Sequence, residues 1–299
     1  MAGENKLFIT FLFLILSTVS FSQGRTGYFI GGGIIFYNGD LNERTTKVFS
    51  AGKVFKPAIF AGINYRLEKR TEVSLQVLYG NIGGADSLAS EKDNRTRNLS
   101  FQSVITELSL QLEYHLFSFY RERMLNPFIF AGGGIFHFNP VAELNGVNYD
   151  LQSVGTEGQY IANSDYPQPY KLTQFSIPVG IGIYFQLHPN WRIKIHYANH
   201  FTFTDYLDDV SNIYPDSTLL ANSPAGQIAV SLSNRRLTGN YPVTHVERGN
   251  PSLNDSFSDI GISIIYNPGA SGNGKGYGSG YKKTSGKKIK KNNLCPAYD

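Results

Sequence analysis

The sequence predicts an all-β chain, an eight-stranded antiparallel transmembrane β-barrel with long extracellular loops and a flexible basic C-terminal tail. Three observations carry that prediction. Residues 104–116, VITELSLQLEYHL, alternate without a break: Val104, Leu108, Leu110, Leu112 and Leu116 share one face, and Glu107, Gln111, Glu113 and His115 the other. A membrane-crossing strand needs about 9–11 residues, apolar toward lipid and polar toward the lumen. The composition agrees, with 14% aromatic residues and only 17% charged, against about 25% charged in an average soluble protein. The connections between strand-like segments alternate between short and long, as periplasmic turns and outer loops do.

The chain opens with Lys6, an apolar run over 7–16, and small residues at Ser20 and Ser22 before Gln23. This is the pattern of a secretory signal peptide over 1–22. The apolar run is too short to span a bilayer, and no cysteine stands at the cleavage site for lipid attachment. No other stretch reaches 18 apolar residues. Membrane insertion of the mature chain therefore requires a closed barrel, which leaves no backbone group unpaired in lipid.

Eight segments then read as strands: 27–37, 58–67, 71–79, 104–116, 127–138, 174–188, 191–204 and 258–266. In the sixth, Phe175, Ile177, Val179, Ile181 and Ile183 share a face. In the seventh, Trp191, Ile193, Ile195 and Tyr197 do so, and in the eighth, Ile260, Ile262 and Ile264. Glycine triplets at 31–33 and 132–134 blur the alternation of the first and fifth. They lie inside strands, not at a strand-to-helix turn, so they mark close strand approach and not a phosphate cradle. Short links occupy 68–70, 117–126 and 189–190, and long ones 38–57, 80–98, 139–173 and 205–257. An even strand count returns both termini to the periplasmic side. A soluble β-sandwich accounts for neither the alternating loop lengths nor an apolar face on every strand.

Eight strands enclose a lumen narrow enough for side chains to fill. The inward positions carry Arg66, Glu72, Glu107, Glu113, His115, Arg192, Lys194 and His196. Pairing of Glu107, Glu113 and His115 with Arg66, Arg192 or Lys194 is expected to plug the barrel, which argues against an open channel.

The barrel domain, 23–266, carries 19 Lys and Arg against 21 Asp and Glu, whereas the tail, 267–299, carries seven lysines and one acid. The basic character therefore belongs to the tail, a Gly/Ser/Lys-rich spacer without apolar period. It suits an acidic protein surface or anionic headgroups, and a periplasmic segment meets no nucleic acid. A lone cysteine, Cys295, excludes a disulfide within the chain and leaves a free thiol or a bond to another chain.

Two constellations near a strand exit bear on chemistry. His196 and His200, with Asp205, Asp208 and Asp209, are the candidates for acid–base work, but no serine stands in a nucleophile context. The expectation is a protein that is not an enzyme and needs no cofactor, its histidines satisfied by lumen neighbours. Asp205, Asp208 and Asp209 are also weak candidates for a hard cation such as calcium. They lack the spacing of an EF-hand, and the competing reading is that they hydrogen-bond loop backbone.

The stretches YNGDLN (37–42), RNLSFQS (97–103), TELSLQLEY (106–114), PFIFAGGGIFHFNP (127–140), GTEGQ (155–159), SIPVGIG (176–182), TDYLDDVS (204–211) and RGNPSLND (248–255) resemble the PorG-type outer-membrane barrels of the type IX secretion system of the Bacteroidota. TDYLDDVS and RGNP are the most specific of them. The resemblance implies a non-enzymatic component of a machine for protein secretion and gliding. It also implies contact with a periplasmic ring built from a lipoprotein and its partner. Lys282, Lys283, Lys287, Lys288, Lys290, Lys291 and Cys295 would then be the contact residues, with Cys295 available for an intermolecular disulfide. The alternative is a surface-binding or adhesion barrel acting through its outer loops.

Overall fold

The computed structural model describes residues 25–41, 55–88, 92–119, 124–162, 165–237, 241–242 and 246–268. The expected signal peptide and all the tail residues from 269 on, including Cys295 and its neighbouring lysines, lie outside them.

Eight long strands form a meander: β1 Thr26–Asn38, β2 Lys56–Arg66, β3 Thr71–Ala85, β4 Ser100–His115 and β5 Leu125–His137. After a small hairpin, β6 Pro140–Leu144 and β7 Val147–Asp150, come β8 Thr173–His188, β9 Trp191–Thr202 and β10 Ser256–Tyr266. Each long strand pairs antiparallel with its neighbours along the chain. β1 pairs with β10, and β3 with β4, so the sheet closes on itself. A closed sheet has no exposed edge.

Register follows the alternation, because a slip of one residue would exchange the two faces of a strand. β4 is buried and exposed at alternate residues along nearly its whole length. Its leucines pair outward with apolar residues of β3, as in Leu75↔Leu110 and Val77↔Leu108. Ile30, Ile59, Leu110, Ile129, Ile181 and Ile262 all point outward and are more than half exposed. The inside holds carboxylates, guanidinium groups and histidines. This partition is the reverse of a soluble protein, where charged groups are almost never buried unless paired.

Tyr65, Tyr114, Trp191 and Tyr266 ring the end that carries the short turns, with the Trp191 and Tyr266 rings 4.7 Å apart. Tyr79, Phe175, Phe201 and Phe203 stand exposed toward the other end. Both ends of the described barrel, Thr26 and Tyr266, lie at the short-turn end, where Tyr28 pairs with Tyr266 and Tyr266 with Trp191.

Two elements depart from the sequence reading. β3 and β4 stay paired up to Ala85↔Ser100, well into the expected loop at 80–98, and stand above the rim as a ribbon. Gly80, Gly83 and Gly84 interrupt the apolar pattern there without interrupting the ladder. The stretch 139–173 contains β6–β7, whose turn places Asn145 at φ 53° and Gly146 at φ 81°. Two consecutive positive φ values are what a two-residue hairpin requires, and Asn-Gly is its strongest sequence signal. The strand expected to reach residue 204 ends at Thr202. The remaining loops carry short helices: α1 Lys92–Arg97, α2 Leu151–Val154, α3 Ser217–Ala221 and α4 Gln227–Ser233.

Candidate functional site: a filled lumen under a latched mouth

The lumen contains a column of paired charges. Nearest the short turns, Arg192 from β9 grips Glu72 from β3 with both guanidinium nitrogens, at 3.1 and 2.9 Å, and its Nε donates to Asn267 at 3.1 Å. Arg66 Nε stands 3.9 Å from Glu72 and its guanidinium lies over the Phe119 ring. One layer up, Lys194 reaches Glu113 at 2.7 Å, and the Tyr184 hydroxyl donates to the same carboxylate at 2.8 Å. The rings of Phe128 and Phe130 fill the space around them, seated over Gly182 and Gly180. Above that, Ser176 donates to Glu107, and His200 touches Glu107 with one ring nitrogen and Asp259 with the other, at 3.0 and 2.8 Å. His196 lies 2.9 Å from the second oxygen of Asp259.

The inward residues named from the sequence are therefore all buried, but their partners differ in part. Glu113 meets Lys194, whereas Arg192 and Arg66 go to Glu72. Among the described residues Glu107 meets His200 and Ser176 and no arginine or lysine. A ring that faces carboxylates with both nitrogens fits the doubly donating imidazolium.

Two chemical readings of this column are weak on geometry. Ligand atoms of Glu72, Glu113 and His115 lie within 4.8 Å of one another, close enough for a metal ion. Arg192 and Lys194 already occupy those two carboxylates, so an ion there would be repelled by the charges that hold them. Ser176 donates to Glu107 but is buried within the filled lumen, where its hydroxyl is not presented to a substrate.

At the long-loop end, the stretches picked out in the sequence converge on a cap. In TDYLDDVS, Asp208 and Asp209 are adjacent but face opposite ways, because Asp209 takes a left-handed backbone at φ 64°. Asp208 faces β1. It accepts the Tyr37 hydroxyl at 2.7 Å and the amides of Leu41 and Val210 at 3.1 and 2.9 Å. Asp209 faces the segment that follows α2, accepting from Thr156 and, at 2.8 Å, from Tyr170. Asp205 is 7% exposed, and among the described residues neither of its oxygens has a donor within hydrogen-bond distance, although Ser211 lies close enough to temper its carboxyl. Of the three acids considered for calcium, Asp208 and Asp209 thus point to different places, and Asp205 lies near enough to Asp40 and Asp208 for their charges to act on it.

Arginines tie the cap together. Arg248 pairs with Glu157 at 3.0 Å, lies 3.8 Å from Asp209, and donates to the carbonyls of Asp209 and Ser233. Glu157 also accepts the amides of Ser211 and Asn212. Arg97 forks onto Asp86 with two 2.8 Å bonds and donates to the carbonyls of Arg248 and Asp40. Asp40 takes the Asn250 amide at 2.6 Å, and Asp255 takes the Leu207 amide at 2.9 Å and lies 2.7 Å from the Tyr37 hydroxyl oxygen. Burial pushes the Asp205 carboxyl up to about 8, with the charges of Asp40 and Asp208 adding to it. Asp208 and Asp209 are pushed up to about 7 by burial, against the pull of the Tyr37 hydrogen bond on the first and of Arg248 on the second. Asp255 is raised well above the ordinary range by burial and by Asp208.

Sequence reasoning singled out the acids of 204–211 and missed Tyr37, Asp40, Arg97, Glu157, Arg248 and Asp255. All six sit in the quoted stretches. Nothing in an apolar period marks them, because their contacts are polar and lie far apart in the chain.

Residues 5–222 match the model of a family described as "Domain of unknown function (DUF6089)". No curated protein matches the chain. Among solved structures, Neisserial surface protein A (NspA) is 10% identical, covering 81% of this chain and 96% of its own, at a TM-score of 0.37. Ail, the attachment invasion locus protein of Yersinia pestis, solved with the heparin analogue sucrose octasulfate, is 11% identical. It covers 82% of this chain and 98% of its own, also at 0.37. A major outer membrane protein of Thermus thermophilus is 10% identical, with coverages of 81% and 98% and a TM-score of 0.35.

Proposed function

We propose that this chain, which belongs to the DUF6089 family, is a non-enzymatic outer-membrane barrel that serves as a structural component of the type IX secretion machinery. The observation that carries a structural role is the lumen, filled by buried ion pairs and closed at one end by the cap. Such a barrel offers a solute no path, so its work is done at its two ends. The apolar exterior and its aromatic rows support a seat in the outer membrane. In that seat the short turns and both termini face the periplasm and the long loops face outward. The partners are the periplasmic ring lipoprotein and its companion subunit, reached through the basic tail. A flexible tether raises the local concentration of its end at a partner, and Cys295 in the oxidising periplasm can make the contact covalent. The motif resemblance supports the identity of the machine.

Deletion of 267–299 is expected to abolish co-purification of the ring proteins with the membrane-inserted barrel. A non-reducing gel is expected to show a slower band that disappears in Cys295→Ser. Ring proteins recovered unchanged without the tail would sink the tether.

One observation favours a second reading, a surface-binding barrel. A cleft of about 680 Å³ opens between the β3–β4 ribbon and the β6–β7 hairpin, lined by Lys56, Gln102, Glu143, Asn148 and Arg235. Its polar lining suits a hydrophilic ligand at the cell surface. A strain lacking β6–β7 that still secretes but no longer adheres would favour this reading over the first.

A further inference from the structure

The geometry points to a proton-operated latch at the mouth of the barrel. Asp255 and Asp208 share a proton across the Tyr37 hydroxyl, and its loss frees the 204–211 and 248–255 segments from the end of β1.

A hydrogen count requires that proton. Tyr37 Oη lies 2.7 Å from Asp208 Oδ2 and 2.7 Å from Asp255 Oδ1. Both are full hydrogen-bond distances for O–H···O contacts. A phenol has one hydrogen and donates to one acceptor, and an ionised carboxylate donates nothing. The second contact therefore needs a hydrogen on a carboxyl. Asp208 is served by two amides besides the phenol, one on each oxygen. Among the described residues Asp255 receives one amide, that of Leu207, on Oδ2. The arrangement that satisfies every atom runs from Asp255 Oδ1–H to Tyr37 Oη, and from Tyr37 Oη–H to Asp208 Oδ2. The backbone at Gly39 seals the trio. A Cβ there would collide with both Asp255 Oδ1 and Tyr37 Oη.

The surroundings favour retention of that proton. Asp40 follows β1 and its charge raises Asp208, and Asp208 in turn raises Asp255. Glu157, from the segment after α2, acts on Asp205 and Asp209. The two arginines of the cap are already taken, Arg97 by Asp86 and Arg248 by Glu157 and Asp209. The phenols of Tyr170 and Tyr206 are raised by burial first and by neighbouring carboxylates, and stay protonated throughout. The raised carboxyls of Asp208 and Asp255 agree with the hydrogen count.

The direction follows from linkage. A free aspartate loses its proton near about 3.9, whereas the latched pair holds one to near neutrality or above. The latch is strongest below the free value, and loses about tenfold in closing constant per pH unit as pH rises through the interval between the two. It is weakest above the latched value.

Hydrogen exchange of the full-length folded protein in lipid nanodiscs, corrected for intrinsic chemistry from about pH 5 to about pH 9, reads this directly. Protection of the amides of Leu41, Leu207 and Val210 should fall as pH rises toward about 8, while amides in the middle of β4 hold theirs. In Asp255→Asn the side-chain amide donates to Tyr37 in place of the carboxyl proton, so protection should persist at high pH and the pH dependence flatten. Tyr37→Phe gives a second readout, with protection low even where the wild type is latched. Wild-type protection that ignores pH would overturn the latch, as would loss of protection at every pH in Asp255→Asn. Protection at high pH that appears with calcium and vanishes with a chelator would replace the proton by a metal ion.

Discussion

Arg248 shows at the scale of one side chain how the cap is built. Its guanidinium joins Glu157 after α2, Asp209 after β9 and the Ser233 carbonyl at the end of α4. Replacing it by methionine would keep the bulk and leave two buried carboxylates without their counter-charge. Breaking a buried pair from one side costs about 3–5 kcal/mol. Arg248→Met is therefore expected to make the loops at 155–170 and 204–237 sensitive to limited proteolysis, with the barrel still resistant to unfolding in detergent. Loops as resistant as in the wild type would show that the arginine is dispensable. The acidic run at 204–211 was legible in the sequence as a group, but its division was not. That division depends on a left-handed backbone at Asp209, and on partners 53 residues away in Thr156 and 171 away in Tyr37. No local pattern encodes such contacts.

At the scale of the element, the long strands were legible because alternation of period two is local and redundant. Each strand repeats it, and a closed sheet requires every register to agree. The ends of β3 and β4 were hidden by Gly80, Gly83 and Gly84, which pack backbone close without adding an apolar side chain. At Gly84, a Cβ would lie 2.9 Å from the Leu41 carbonyl. The β6–β7 hairpin was legible in principle through Asn145-Gly146 but lay within a stretch read as loop. Its turn gives an expected outcome. Gly146→Ala forces a Cβ onto a backbone at φ 81°, which costs about 1 kcal/mol or more. The hairpin should fray, seen as faster hydrogen exchange over 141–150, while β4 and β5 keep their protection. Unchanged exchange would mean that the turn is held by its surroundings and not by its own backbone preference.

At the scale of the molecule, the interior is charged and the exterior apolar, and each half of that inversion explains the other. Buried ion pairs tolerate a narrow lumen because each of the carboxylates Glu72, Glu107, Glu113 and Asp259 has a partner at hydrogen-bond distance. The apolar wall needs a medium that is apolar as well. In planar bilayers the protein is therefore expected to give no conductance steps, and sustained ion flow through the wild type would contradict a filled lumen. The charged column has a further consequence where it meets the end of β10. Asn267 is clasped there from three sides: its amide donates to the Asn190 carbonyl, its side chain to the Thr26 carbonyl, and its Oδ1 accepts from Arg192. Beyond it the chain runs toward the tail. β10 is flanked along its whole length by β1 and β9, with its hydrogen bonds perpendicular to the strand. A pull on the chain after residue 268, directed along the strand, would load both ladders in shear, all rungs at once, and not peel them one by one. The clasp and the two ladders form a mechanical mooring, through which force applied from below would spread into the barrel wall.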